Sequence, residues 1–190
     1  MIVVRHGRTA ANAAGLLLGR QDPPLDLLGI EQAGRLAAEV RHADRVVSSP
    51  LQRARETAAA FGAPVEIDER WAELDYGEFD GLPPAQLGDA TWAKWRSDPT
   101  FAPPGGESIA ALTARVHAAC EELCDDARER TVVVVSHVSP VKAALAWALG
   151  VGPEVAWRSH IDPASITRIS IGPAGPVLRS FNEVLYARDA

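Results

Sequence analysis

The chain has 190 residues, 47% hydrophobic and 23% charged, values that suit one compact globular domain over residues 1–190. Net charge is −6, from 19 Lys+Arg against 25 Asp+Glu, which excludes a global positive field that draws in nucleic acid. No apolar run approaches the ~20 residues needed to span a bilayer, and Met1 leads directly into a strand-like run, so a cytoplasmic protein free of membrane is expected.

Met1 to Val4 is a continuous apolar run, the pattern of a strand buried on both faces, and it stops at Arg5-His6-Gly7. Leu16 to Leu28 reads as a loop, broken by Gly19 and Pro23-Pro24. Gly29 to Val40 repeats apolar or small residues at helical spacing, with Asp26 as its N-cap. Arg45 to Ser48 is a second strand. Ser49-Pro50 looks like an N-cap followed by proline at the first helical position, opening a helix to about Phe61. Val65 to Ile67 is a short third strand.

Residues 70–106 mix Trp71, Trp92 and Trp95 with glycine, proline and acidic residues, and read as an irregular cap or rim. Ile109, Leu112, Val116, Cys120 and Leu123 then mark one long helix. Cys120 and Cys124 lie four apart in that pattern and read as small buried hydrophobes, since two thiols make neither a disulfide framework nor a zinc site. Thr131 to Val135 is a fully apolar strand ending in Ser136-His137, a helix follows to Leu149, and Ser165–Ile171 with Val177–Phe181 close the chain as a strand pair. Strands alternating with helices predict a three-layer α/β/α fold with a largely parallel sheet. Ligands of such sheets bind beyond the carboxyl ends of the strands. Arg5-His6, Ser48 to Arg53 and Ser136-His137 all sit there.

That convergence suits a phosphate monoester, whose hydrolysis requires charge stabilisation, an in-line nucleophile and a proton for the leaving oxygen. Of the basic residues only Lys94 and Lys142 are lysines, and arginine suits fixed contact with phosphate. Arg5 and Arg53 are candidates to hold the charge. Arg53 is placed in a first helical turn, whose N–H groups favour anions. His6 is the candidate nucleophile, kept neutral by neighbouring guanidinium groups, and His137 a further donor to the phosphoryl oxygens. The proton requires a carboxylic acid, and Glu73, Asp75, Glu78 and Asp80 crowd one short segment without composition choosing among them. His42, His117 and His160 have no partner motif and read as structural.

These segments resemble those of the histidine phosphatase superfamily, the phosphoglycerate mutase-like proteins. Arg5-His6-Gly7-Arg8-Thr9-Ala10-Ala11-Asn12 is similar to its Arg-His-Gly-x-Thr-x-x-Asn signature, and Ser48-Ser49-Pro50-Leu51-Gln52-Arg53-Ala54 with Thr57 to its second arginine motif. Glu73-Leu74-Asp75-Tyr76-Gly77-Glu78-Phe79-Asp80-Gly81 is similar to its acid-donor segment, and Val135-Ser136-His137 completes the order. The resemblance implies transient phosphorylation of His6, proton donation by Glu73, and phosphoryl binding by Arg5, Arg53 and His137 with Asn12 assisting, without metal or cofactor. Val138-Ser139 replace the family's usual Gly-Gly, leaving the Val138 N–H able to donate to phosphate beside a bulkier side chain. Gly19 and Arg20 fall where the family shapes its substrate pocket, although Leu18 stands in place of the mutases' usual threonine and Asp26 in place of a threonine cap.

The reading that follows is a phosphatase acting on a small phosphorylated metabolite. A phosphoglycerate mutase is the alternative, weakened by the absence of the mutases' middle insertion and longer tail. A phospho-ligand binding module without catalysis is the third. A homodimer through an exposed edge strand or helix face is compatible with the sequence but not specified by it.

Overall fold

In the computed structural model, residues 1–185 are described; the last five residues of the expected 1–190 domain lie outside them. The chain runs β1 (Ile2–Arg5), α1 (Ala10–Ala13), α2 (Leu27–Val40), β2 (Arg45–Ser48), α3 (Gln52–Ala59) and β3 (Val65–Ile67). It continues through α4 (Gly88–Ser97), α5 (Ile109–Glu122), α6 (Cys124–Glu129), β4 (Val132–Ser136), α7 (Val138–Leu149), β5 (Ser165–Gly172) and β6 (Gly175–Val184). The six strands form one sheet in the order β3-β2-β4-β1-β5-β6. β3, β2, β4 and β1 run parallel, and the β1–β5 and β5–β6 pairings are antiparallel. The expected α/β fold with a largely parallel sheet is what the chain adopts.

Alternation along the strands divides the core into two layers. Val3, Val47, Val132 and Val134 pack with Leu112, Val116 and Cys120 of α5 and Ala144 of α7. Val4, Val46, Val133 and Val135 pack on the other face with Leu36 of α2 and Ala54 and Ala58 of α3. The valines of β4 are all fully buried, as a strand covered on both faces requires.

Several local expectations are corrected. Ser49 is not the N-cap of α3: the helix starts at Gln52 after Leu51, and the Ser49 hydroxyl instead accepts from the Leu51 N–H within a tight turn. The 70–106 segment is less irregular than its composition suggests, because it contains the ten-residue helix α4 and short 3-10 turns at Glu69–Trp71, Gly77–Phe79 and Pro84–Leu87. The long helix stops at Glu122, so Cys124 opens α6, although its thiol still points back to the Cys120 carbonyl at 3.4 Å. Helix α2 begins two residues earlier than expected, and Asp26 caps it by accepting from the Gly29 N–H at 2.8 Å. β6 is also longer at both ends than its apolar stretch.

Candidate active site

The convergence at the sheet's carboxyl edge has a backbone cause. Arg5 pairs with Ser136 and Ser48 with Val135. The ladder then continues one residue past the strands, with His6 N–H donating to Ser136 O at 2.9 Å and Ser49 N–H to Val135 O at 3.0 Å. His6, Ser49 and His137 are thereby fixed side by side before any side chain contributes.

The His6 ring is 3% exposed and its Nδ1 lies 2.6 Å from the Gly7 carbonyl. A carbonyl only accepts, so Nδ1 carries the hydrogen and Nε2 the lone pair. That lone pair accepts a hydrogen bond from Arg53 Nε–H at 3.3 Å. Burial first, then the Arg53 and Arg5 guanidinium groups, hold the His6 pKa well below its ordinary value of 6.5. The imidazole is neutral at physiological pH.

Gly7 has a packing reason. A Cβ there would lie 2.4 Å from the Gly29 carbonyl, and one on Gly29 would lie 2.1 Å from the Arg8 carbonyl. The two backbones interlock, helped by Arg8 N–H to Gln32 Oε1 at 2.8 Å and Gly7 N–H to Thr57 Oγ1 at 3.0 Å. Gly29→Ala is accordingly expected to destabilise the fold by about 1–3 kcal/mol through overpacking. This outweighs the ~1 kcal/mol that alanine gains over glycine in a helix interior. Urea unfolding checks it, and a variant as stable as wild type would remove the interlock argument.

Arg53 is fully buried, not the solvated charge that its position early in a helix suggests. It donates Nη1–H to Gln21 O at 2.8 Å and Nη2–H to Gly19 O at 2.9 Å, so it also orders the loop before α2. The expected anion site at the α3 N-terminus is already filled: Asp22 Oδ1 accepts from the Gln52 N–H at 2.6 Å. Burial lowers the Arg53 pKa, opposed chiefly by Glu73 and Asp22.

His137 is fully buried, with its ring centroid 4.9 Å from that of His6. Its Nε2 lies 2.7 Å from Ser49 Oγ. That hydroxyl also accepts from Leu51, and with its own hydrogen directed to Nε2 the hydrogen of His137 sits on Nδ1. Among the described residues Nδ1 has no hydrogen-bond partner. Burial, then His6, Arg53 and Arg5, push the His137 pKa well below 6.5.

Of the four acids, Glu73 alone is buried, at 3% exposure. Its carboxylate accepts from the Ser139 N–H at 3.1 Å and the Leu74 N–H at 2.7 Å, capping the α7 N-terminus from outside the helix. Asp75 accepts from Gly77 N–H, and Asp80 from the Gly19 and Gln21 N–H groups, while Glu78 is exposed. In the first turn of α7, Ser139 N–H is engaged and Pro140 has none, which leaves Val138 N–H as the amide beside His137.

The remaining candidates are spread around this centre. Arg5 Nη1–H donates to Ile161 O at 2.6 Å, tying it to the loop before β5. Asn12 Oδ1 accepts from the Thr9 N–H and hydroxyl in a capping box at the start of α1, so its amide hydrogens are what remain for a ligand. Gly19 has no room for a side chain, since a Cβ would lie 2.8 Å from Leu74 O. Arg20 sits at the exposed rim, 3.8 Å from Asp75. Trp71 is core, not rim. His42 and His160 bond to Asp44 and Asp162, and His117 to the Ala143 carbonyl. Ser49, Thr57, Gln32 and Ser139 hold the site in place through hydrogen bonds, a role that their places in or beside the family-like motifs did not assign to them.

Among the described residues, no helix is long and apolar enough to cross a membrane. Residues 1–184 match the histidine phosphatase superfamily (branch 1). A bifunctional protein of Mycobacterium tuberculosis is 34% identical over 177 residues, covering 88% of the chain but only 49% of that protein. The chain therefore spans about half the length of such curated relatives. Glucosyl-3-phosphoglycerate phosphatase of the same species is 37% identical over 190 residues, covering 90% and 84% of the two chains. The crystal structure of phosphoserine phosphatase from Entamoeba histolytica in complex with 3-phosphoglyceric acid superposes with a TM-score of 0.89 at 30% identity, covering 97% and 96%. The chain belongs to the histidine phosphatase superfamily, branch 1.

Proposed function

We propose that the chain hydrolyses monoesters of phosphate on a small metabolite, through a phosphohistidine formed on Nε2 of His6. One observation carries this reading: a buried, neutral imidazole, its tautomer fixed by Gly7 O, holds its Nε2 lone pair in a hydrogen bond from Arg53 Nε–H beside the His137 ring, where a phosphoryl group drawn to Arg53 meets it. The named relatives act on, or bind, small phosphorylated metabolites, which supports the same substrate class.

The phosphoryl group lies against Arg5, Arg53, the His137 Nδ1–H and the Val138 N–H, with the Asn12 amide at its edge. These donors are set in advance and surround the three equatorial oxygens. Nε2 of His6 attacks phosphorus, the P–O ester bond breaks, and the leaving oxygen takes its proton from the Glu73 carboxylic acid. Water then attacks phospho-His6 while the Glu73 carboxylate accepts its proton, the P–N bond breaks, and inorganic phosphate departs. Gly19 and Arg20 belong to the mouth of the pocket. Residues 1–190 act as one catalytic domain whose rim is the 70–106 segment.

Glu73→Gln tests the proton transfer separately from the fold. A glutamine Oε1 still accepts from the Ser139 N–H, so unfolding temperature is expected to change little. Turnover of alkyl esters is expected to fall by about 10²–10⁴-fold, and that of p-nitrophenyl phosphate, whose leaving group needs no proton, much less. Equal losses on both substrates would remove Glu73 as the acid. Phosphate release from a monoester panel, with phosphoglycerate interconversion measured alongside, tests the overall reading. Interconversion without release would make the chain a mutase, and binding without either a phospho-ligand module.

A further inference from the structure

The rim segment builds a chamber whose chemistry differs from that of the phosphate site. Trp92 and Trp95 stack with centroids 5.5 Å apart and planes 15° from parallel, and the Trp157 ring meets both edge-on at 6.2 Å. With Leu17, Tyr76 and Leu112 they line a cavity of about 120 Å³. That is on the order of the ~150 Å³ cavity that admits a benzene ring. The Arg96 guanidinium lies over the Trp92 and Trp157 rings at about 6 Å.

The chamber abuts the segments that carry the proposed chemistry, although none of His6, Arg53, Glu73 or His137 itself lines it. Val138 and Ser139 follow His137 directly and line it, as do Leu74 and Tyr76, which follow Glu73. The Ser139 N–H holds the Glu73 carboxylate. The aromatic box thus adjoins Glu73 through Leu74 and Ser139, whose N–H groups hold its carboxylate. Among the described residues the only charged lining group is Lys142, whose Nζ donates to the Ala156 carbonyl at 2.7 Å. No described arginine lines the chamber to grip a carboxylate on the departing group. The Trp95 indole N–H, on a side chain 1% exposed, has no acceptor among the described residues.

We propose that the leaving group of this enzyme's substrate is an apolar, ring-sized alcohol held in the Trp92–Trp95–Trp157 chamber, not a carboxylate-bearing one such as serine or glycerate. This rests on the phosphatase reading for the position of the phosphate. The test separates the two claims by pairing a binding arm with a turnover arm. Binding compares 2-phenylethylphosphonate with ethylphosphonate, which cannot be hydrolysed, by calorimetry on the wild-type chain. Burial of one ring is expected to tighten binding by about 10- to 100-fold. Turnover compares kcat/KM for 2-phenylethyl phosphate, ethyl phosphate and phosphoserine, and the phenylethyl ester is expected to lead.

Ala156→Leu narrows the chamber while leaving the stacked rings and the backbone carbonyl that Lys142 uses, and is expected to shrink the phenylethyl-to-ethyl ratio in both arms. Trp92→Ala removes one wall and is expected to act in the same direction, chiefly through KM. Equal affinity for the two phosphonates overturns the proposal, as does a phosphoserine kcat/KM above that of the phenylethyl ester, or a ratio that Ala156→Leu leaves intact. If no ester is hydrolysed, the phosphatase reading fails while the phosphonate ratio still decides the chamber.

Discussion

His6→Ala is expected to reduce phosphate release by on the order of 10⁴-fold or more, since loss of a covalent nucleophile leaves only binding and electrostatic stabilisation. Brief exposure of the wild type to ³²P-labelled ester, followed by quenching in base, is expected to trap an acid-labile label on the chain, and the variant none. Turnover without label, or label in the variant, would remove His6 from this role. The pH profile adds a second reading. Because burial, Arg53 and Arg5 hold the His6 pKa well below 6.5, its protonation removes the nucleophile only in that lower range. Activity should therefore show no loss from His6 as pH falls through 6.5, only below it. Stability runs the same way. The unfolded chain takes up a proton near pH 6.5 and the buried ring does not, so stability is full above that pH and is lost as pH falls towards the depressed folded value. Replacing His6 should flatten this part of the acid-denaturation curve.

Arg53→Ala is expected to lower activity by about 10²–10³-fold and to cost stability as well. Its side chain is wholly buried and satisfies the Gly19 and Gln21 carbonyls, and leaving the buried Gly19 acceptor unpaired costs about 1–3 kcal/mol. Removing the guanidinium also removes the second-largest cause of the low His6 pKa. The acid limb of kcat/KM should then move to higher pH. That shift separates a charge acting on His6 from mere loosening of the loop, which lowers activity without moving the limb. Arg53→Lys should keep the limb low while still losing activity, because one ammonium cannot reach Gly19 O, Gln21 O and the phosphoryl group together.

The strands and the order of the site segments were legible in sequence for identifiable reasons. Val132 to Val135 is an uninterrupted apolar run because both its faces are covered, and a polar pair directly after such a run has little alternative to the sheet's carboxyl edge. Helix α4 was not legible, because Gly88, Asp89 and Thr91 are poor helix formers and Trp92 and Trp95 stabilise it through aromatic packing made elsewhere in the chain. Ser49 was misread because Ser-Pro is an N-terminal helix signal locally, whereas its hydroxyl is claimed by His137, 88 residues away. The α3 N-terminus looked open to an anion until Asp22, 30 residues earlier, was seen to occupy it.

Periodicity and residue type are local properties, so the sequence already carried the α/β architecture with its largely parallel sheet, the family, and which histidines, arginines and acids stand at the strand ends. The tertiary structure decided that Arg53 is buried against His6, that Gly7 O fixes which His6 nitrogen bears the lone pair, and that Glu73 alone of four acids caps α7. It also decided that Trp92 and Trp157, 65 residues apart, close one chamber. Each of these depends on hydrogen bonds and packing between segments distant in the chain, and no local pattern of residues encodes such pairings.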